Sequence, residues 1–226
     1  MLIVEDLLLL LTDDTSGRAV VGSTELDLSL AGAVLIELAM AGKVDVTGPG
    51  DPGRNGRLVV RDPAPTGYPL LDDALARLTA NPGRKPAKAL DLLKKNLRAS
   101  TYRRLVERGI VRSENGKVLG IFPTPRWPAQ DLVHELGLRG ALHDALVIGT
   151  TPQAPTAALI SLLQAIKAIN KVLDIPRADR SAVKDRARQI AQDAWAADAV
   201  GKAVDAVNSA VVAAVVAGSV AATAAS

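Results

Sequence analysis

Apolar residues fall along this chain in blocks of helical length, separated by glycine, proline and acidic stops. Residues 1–17 (MLIVEDLLLLLTDDTSG) run apolar to Leu11 and halt at Asp13, Asp14 and Gly17, which predicts a helix and a turn. Residues 17–22 (GRAVVG) read as a short strand. Residues 29–41 (SLAGAVLIELAMA) are apolar on every side, the mark of a helix buried all round, with Gly42 placed for a left-handed cap. Residues 43–47 and 57–61 alternate and predict a hairpin across the glycine-rich loop 48–56. A helix over 69–79 carries Leu70, Leu71, Ala74, Leu75 and Leu78 on one side. Helices over 87–97 and 100–108 follow. A second hairpin is predicted over 110–122, with Asn115–Gly116 at its tip because that dipeptide favours the tight turn of paired strands. Pro123, Pro125 and Pro128 impose an irregular crossing around Trp127, which is placed as a plug under the loop. Helices over 129–136, 140–147, 156–173, 178–199 and 200–222 complete the chain. The pattern is mainly α, helices decorated by short surface β-hairpins.

Composition strengthens that reading. Of 226 residues, 48% are apolar, five are aromatic and 38 are alanine, so the core is built from Leu, Val, Ile and Ala. Small side chains suit closely packed helices better than a β-sandwich. With no cysteine, disulfides and thiolate metal sites are excluded. Residues 210–217 (AVVAAVVA) are short of the roughly 20 needed to span a bilayer and predict a buried last helix. The start of the chain is too acidic for a signal peptide, so the expected location is the cytoplasm.

Charge changes the picture more. The net charge is only +3, yet residues 84–112 hold ten cations (Arg84, Lys85, Lys88, Lys94, Lys95, Arg98, Arg103, Arg104, Arg108, Arg112) against Asp91 and Glu107. That segment carries +8 and the rest of the chain −5. Helical spacing projects Lys95 together with Arg98, and Lys94 together with Arg98, with Lys88 about two turns back near the face of Lys95. Such a cluster can hold a phosphate between a guanidinium fork and mobile ammonium groups.

No nucleotide-binding loop, zinc-protease helix or nucleophile elbow is present. Asp13–Asp14 and Asp72–Asp73 sit at helix ends, where carboxylates cap turns. His134 and His143 are read as ordinary histidines rather than metal ligands. No catalytic residue, metal site or cofactor is therefore expected. A winged-helix reading, with Arg98, Arg103 and Arg104 on a recognition helix and the second hairpin as wing, covers only a short part of the chain, so nucleic acid is a disfavoured partner. A scaffold that binds no small ligand is the other alternative.

Several stretches carry a resemblance over nearly the whole chain: EDLLLLLTDD (5–14), LAGAVLIELAMAGKV (30–44), DPAPTGYPLLDDAL (62–75) and RRLVERGIV (103–111), with weaker agreement at 156–166 and 210–217. The chain resembles bacterial members of the Golgi phosphoprotein 3 family, whose eukaryotic members are peripheral proteins that read phosphatidylinositol 4-phosphate. The resemblance implies a single globular domain over 1–226 around a central apolar helix bundle. It also implies a non-enzymatic adaptor that binds an anionic membrane lipid from the cytoplasmic face. The family's headgroup pocket uses a tryptophan and three arginines. Two of these fall on Lys95 and Arg98, which keep positive charge. The third arginine falls on Ala31 and the tryptophan on Gly22. The hairpin containing Glu114, Asn115 and Gly116 corresponds to the family's self-association element, implying a homo-oligomer. The tails of membrane-protein clients are the family's other implied partner.

Overall fold

The computed structural model describes residues 1–118, 122–193 and 201–223. The long apolar block becomes α2 (Ser23–Met40), with buried residues on all sides from Leu26 to Ala39. It begins six residues earlier than its apolar run suggests. Gly22 takes the extended cap position and Glu25 lies in the first turn, where a carboxylate favours the helix start. Helix α1 (Ile3–Leu10) is buried along its whole length and packs on α2. The remaining elements wrap this pair: α3 (Pro69–Thr79), α4 (Pro86–Leu93), α5 (Leu97–Glu107), α6 (Val133–His143), α7 (Ala154–Ala165), α8 (Ile169–Val172), α9 (Arg180–Asp193) and α10 (Gly201–Thr223). The mainly helical architecture is thus observed, and one apolar cluster draws on all of the helices.

Close approach at the centre depends on Gly32. A Cβ there would stand 3.0 Å from both Leu162 of α7 and Val211 of α10. Both helices pack on α2 at this level, and an added side chain would drive them apart.

Strands are confined to two antiparallel pairs. Strand β1 (Val44–Val46) joins β2 (Leu58–Val60), with Val44 opposite Val60. Arg61 crosses from the end of β2 to Asp45 and to Asp51 in the glycine-rich loop. Strand β3 (Glu114–Val118) joins β4 (Phe122–Arg126). Here the predicted turn is corrected. Asn115 pairs with Pro125 and Gly116 with Thr124, so both lie inside a strand; the connection falls in 119–121, outside the described residues. The register, rather than the local turn preference, decides where the strands end.

Other expectations also shift. Residues 17–22 form no strand: Ala19 bridges only Thr12, and Val20 N–H donates to Leu11 at the end of α1. The helices expected over 129–136 and 140–147 are one helix, α6, running on through Gly137 and Gly140 into a π-helical turn at Asp144–Ile148. The helix expected over 87–97 breaks instead. Asn96 adopts a left-handed conformation (φ 63°), and Leu93 and Leu97 are buried on either side of the break. Asparagine tolerates that conformation better than most residues. The last helix is buried only along one stripe, to Val211; Val212 and Val216 are exposed. Trp127 does plug the loop, stacking flat on buried Tyr102 with ring centroids 3.8 Å apart.

Candidate functional site: the α3–α5 cavity and the α2 N-terminus

The break at Asn96 separates the two cations that sequence placed together. Lys95 lies before it, exposed at the mouth of a cavity of about 630 Å³ between α3 and α5. Arg98 is in the first turn of α5 and reaches the N-terminus of α2. Its guanidinium pairs with Asp27 at 2.7 Å and donates to Ser23 O at 3.0 Å. Gly22, the cap of that helix, is exposed and adjacent to Ser23, but the space over it is taken: a Cβ would collide with the Glu25 carboxylate. Ala31 is fully buried in α2 and has no solvent-facing surface. Of the four implied pocket positions, then, Arg98 and Gly22 meet at the start of α2, Lys95 lines a neighbouring cavity, and Ala31 belongs to the core.

Carboxylates from elsewhere in the fold reduce the basic segment's open charge. Among the described residues, Lys88 and Lys94 face Asp91, Arg98 meets Asp27, Arg104 and Arg108 share Glu5, and Arg112 pairs with Glu114. Asp27 and Glu5 lie 71 and 99 residues from their partners Arg98 and Arg104, a separation that charge counting along a segment cannot see. Lys95 and Arg103 keep no such partner and both line the cavity. Arg77, also in the lining, is held by Asp73 at 2.8 Å and donates to Lys95 O at 3.3 Å. Its i,i+4 spacing from Asp73 was the one available signal for that pair. Leu70, Ala74, Leu93 and Leu97 supply an apolar floor, and Glu107 is the second acidic group in the lining. The result is a cleft with an apolar base and a basic lip.

A buried carboxylate cluster borders the basic face. Glu5 is fully buried, accepts Leu2 N–H at 3.0 Å and takes Arg104 Nε at 2.8 Å. Asp6 is joined to His134 at 2.8 Å, with burial pushing its carboxyl up against that partner's pull. Glu37 accepts Ile3 N–H at 3.0 Å, and burial, followed by the nearby Asp6 and Glu5 charges, pushes it up to about 7. Glu135, beside Asp14 and Arg139, is likewise pushed up by burial to about 7. Asp72, by contrast, is held below its usual range by hydrogen bonds from Thr66 and is a loop cap. Among the described residues no three metal-ligating side chains converge.

The raised Glu37 carboxyl has a stability consequence. In the unfolded chain the group ionises near 4.5, and in the fold near 7. The folded state therefore holds more protons across that window, so stability falls as pH rises through it and levels off above it. Because the carboxyl keeps partial solvent contact, the expected contribution is about 1–2 kcal/mol. Denaturant melts of Glu37→Gln across pH 4.5 to 7 should show a shallower decline than the parent. Glu135 leaves a remainder, and an unchanged slope would refute the assignment.

The described residues thus form a mostly helical body with short hairpins and a cleft of mixed apolar and basic lining beside its central helix. The family profile of Golgi phosphoprotein 3 (GPP34) matches residues 3–207, and the chain belongs to that family. The family is one of non-enzymatic, lipid-binding adaptors. No curated protein matches the chain closely enough to be compared with it. Among the described residues no helix is long and apolar enough to cross a membrane.

Proposed function

We propose that this protein is a peripheral adaptor that docks on anionic membranes through the α3–α5 cavity. The observation that carries the reading is the lip of that cavity, where Lys95 and Arg103 make no ion pair among the described residues and cations outnumber the two lining carboxylates, Asp73 and Glu107. Family membership supports the same reading. A headgroup phosphate sits between the Lys95 ammonium and the Arg103 guanidinium, while the glycerol end rests on the leucine floor. Arg98 acts differently: tied to Asp27, it secures the start of α2 and contributes little open charge.

Each cation near an anionic surface adds about 1 kcal/mol. Two to four such contacts give weak docking, so self-association through the hairpin bearing Glu114, Asn115 and Gly116 would raise avidity. The nucleic-acid reading gains no support, because two of the three arginines it needs, Arg98 and Arg104, are engaged by Asp27 and Glu5.

Sedimentation with vesicles tests the proposal. Binding should appear with phosphatidylcholine vesicles containing an anionic lipid, fall with salt, and be absent on phosphatidylcholine alone. The Lys95→Glu, Arg103→Glu double variant should lose about tenfold or more in apparent affinity while melting like the parent. Equal binding to neutral and anionic vesicles, or full binding by the double variant, would refute it.

A further inference from the structure

A second group of cations lies apart from the α3–α5 cavity. Helix α9 carries Arg180, Lys184 and Arg188 at i, i+4 and i+8, which places them on one side. That side walls a cleft of about 670 Å³ whose opposite wall is the C-terminus of α7 and the start of α8, with Lys167 at the junction. None of the residues lining the cleft is acidic. Arg188 is partnered by Asp185 at 2.9 Å, and Arg180 donates its Nε to Ile175 O at 3.1 Å, leaving the outer edge of its guanidinium unused. The ammonium groups of Lys167 and Lys184 have no partner among the described residues.

Lys167 is notable for its backbone. It ends α7 with Lys167 N–H donating to Gln164 O and Ala168 N–H to Leu163 O, the paired bonds of a glycine-type helix stop. Its φ is +56°. Glycine satisfies this position without strain, and lysine does not. A cation therefore stands at the cleft where the backbone conformation favours glycine.

We propose that this cleft binds a phosphate monoester carried on a small polar body. The open fork of Arg180 takes two phosphate oxygens. Lys167 and Lys184 neutralise the remaining charge from facing walls, and the α9 N-terminus adds its partial positive charge. Asn170 offers an amide to hydroxyls of the attached group, while Ile169 and Val183 form an apolar floor beneath it and Val212 lies at its edge. This site is separate from the α3–α5 cavity and does not depend on the docking reading. A phosphorylated metabolite and a lipid headgroup share the required chemistry.

Titration of the full chain with inorganic pyrophosphate at low salt, followed by NMR at the amides of Lys167, Ser181 and Lys184, tests the site. Saturable shifts are expected there. Lys167→Gly should keep or raise the melting temperature, yet weaken binding about tenfold, the loss of one charge-assisted contact. Lys184→Glu should weaken it further, whereas Lys95→Glu with Arg103→Glu should leave these shifts unaltered. Absence of shifts at those amides, or shifts that survive Lys167→Gly and Lys184→Glu together, overturns the proposal. Phosphatidylcholine vesicles with and without phosphatidic acid then separate the sources. If Lys184→Glu also lowers sedimentation with phosphatidic acid, the phosphate is a headgroup; if only pyrophosphate binding falls, it is a free ligand.

Discussion

Alanine in place of Gly17 is expected to destabilise the protein by about 3 kcal/mol. Gly17 has a φ of +63°, where an L-residue with a Cβ is strained by about 1–2 kcal/mol. The site is also sterically closed: the new Cβ would stand 2.5 Å from Pro128 N and 2.6 Å from the Trp127 carbonyl carbon. Backbone, unlike a flexible side chain, cannot yield cheaply. Trp127 N–H donates to Gly17 O and Ala129 N–H to Asp14 O, so the turn and the proline-rich crossing would have to separate together. The Trp127 ring would then leave its stack on Tyr102, whose hydroxyl donates to Thr12 Oγ1 at 2.8 Å. Near-UV circular dichroism should weaken along with the denaturant midpoint, while far-UV helicity persists at low denaturant. A Gly17→Ala variant with parental stability and an intact near-UV signal would contradict this account.

The second large effect concerns Glu5. Removing Arg104 as Arg104→Met should cost about 3 kcal/mol, because it leaves a fully buried carboxylate with weaker compensation. Arg108 cannot make good the loss: its contact with Glu5 is 3.3 Å and its side chain is nearly half exposed. Arg108→Met should accordingly cost only about 1 kcal/mol. The double replacement Glu5→Leu, Arg104→Met should be less damaging than the sum of its single changes, since the buried charge departs with its partner. Strict additivity in urea melts would show that the pair is not coupled. A merely electrostatic surface role for Arg104 predicts a small, salt-sensitive effect instead.

Helix existence was legible because it rests on local chemistry. The run 69–79 predicted α3 to the residue: Pro69 starts it and one leucine stripe fits one buried face. The all-apolar block around Val34 announced a helix buried on every side, and α2 is that helix. Trp127 was readable as a plug, but the irregular crossing expected from its flanking prolines was not: Pro123 and Pro125 lie inside β4, paired with Lys117 and Asn115. The hairpin register was not readable. Asn115–Gly116 has a strong turn preference, yet strand pairing moved the connection beyond it. The candidate site was legible only as charge: ten cations in one segment were visible, but which of them stay open depended on Asp27 and Glu5, far away in the chain.

Sequence alone determined that this protein is an alanine- and leucine-packed helical body, that it belongs with the Golgi phosphoprotein 3 family, and that its positive charge is concentrated. Those properties follow from periodicity, composition and residue identity, each of which is carried by the order of side chains. Only the tertiary structure decided that Arg98 secures a helix start, that Ala31 is core, and that Lys95 and Arg103 share a cleft. It also placed Lys167 opposite Arg180 and Lys184 across a second cleft. Pairing energies fall off steeply with distance, and distances between remote segments are set by how helices pack, which no local pattern specifies.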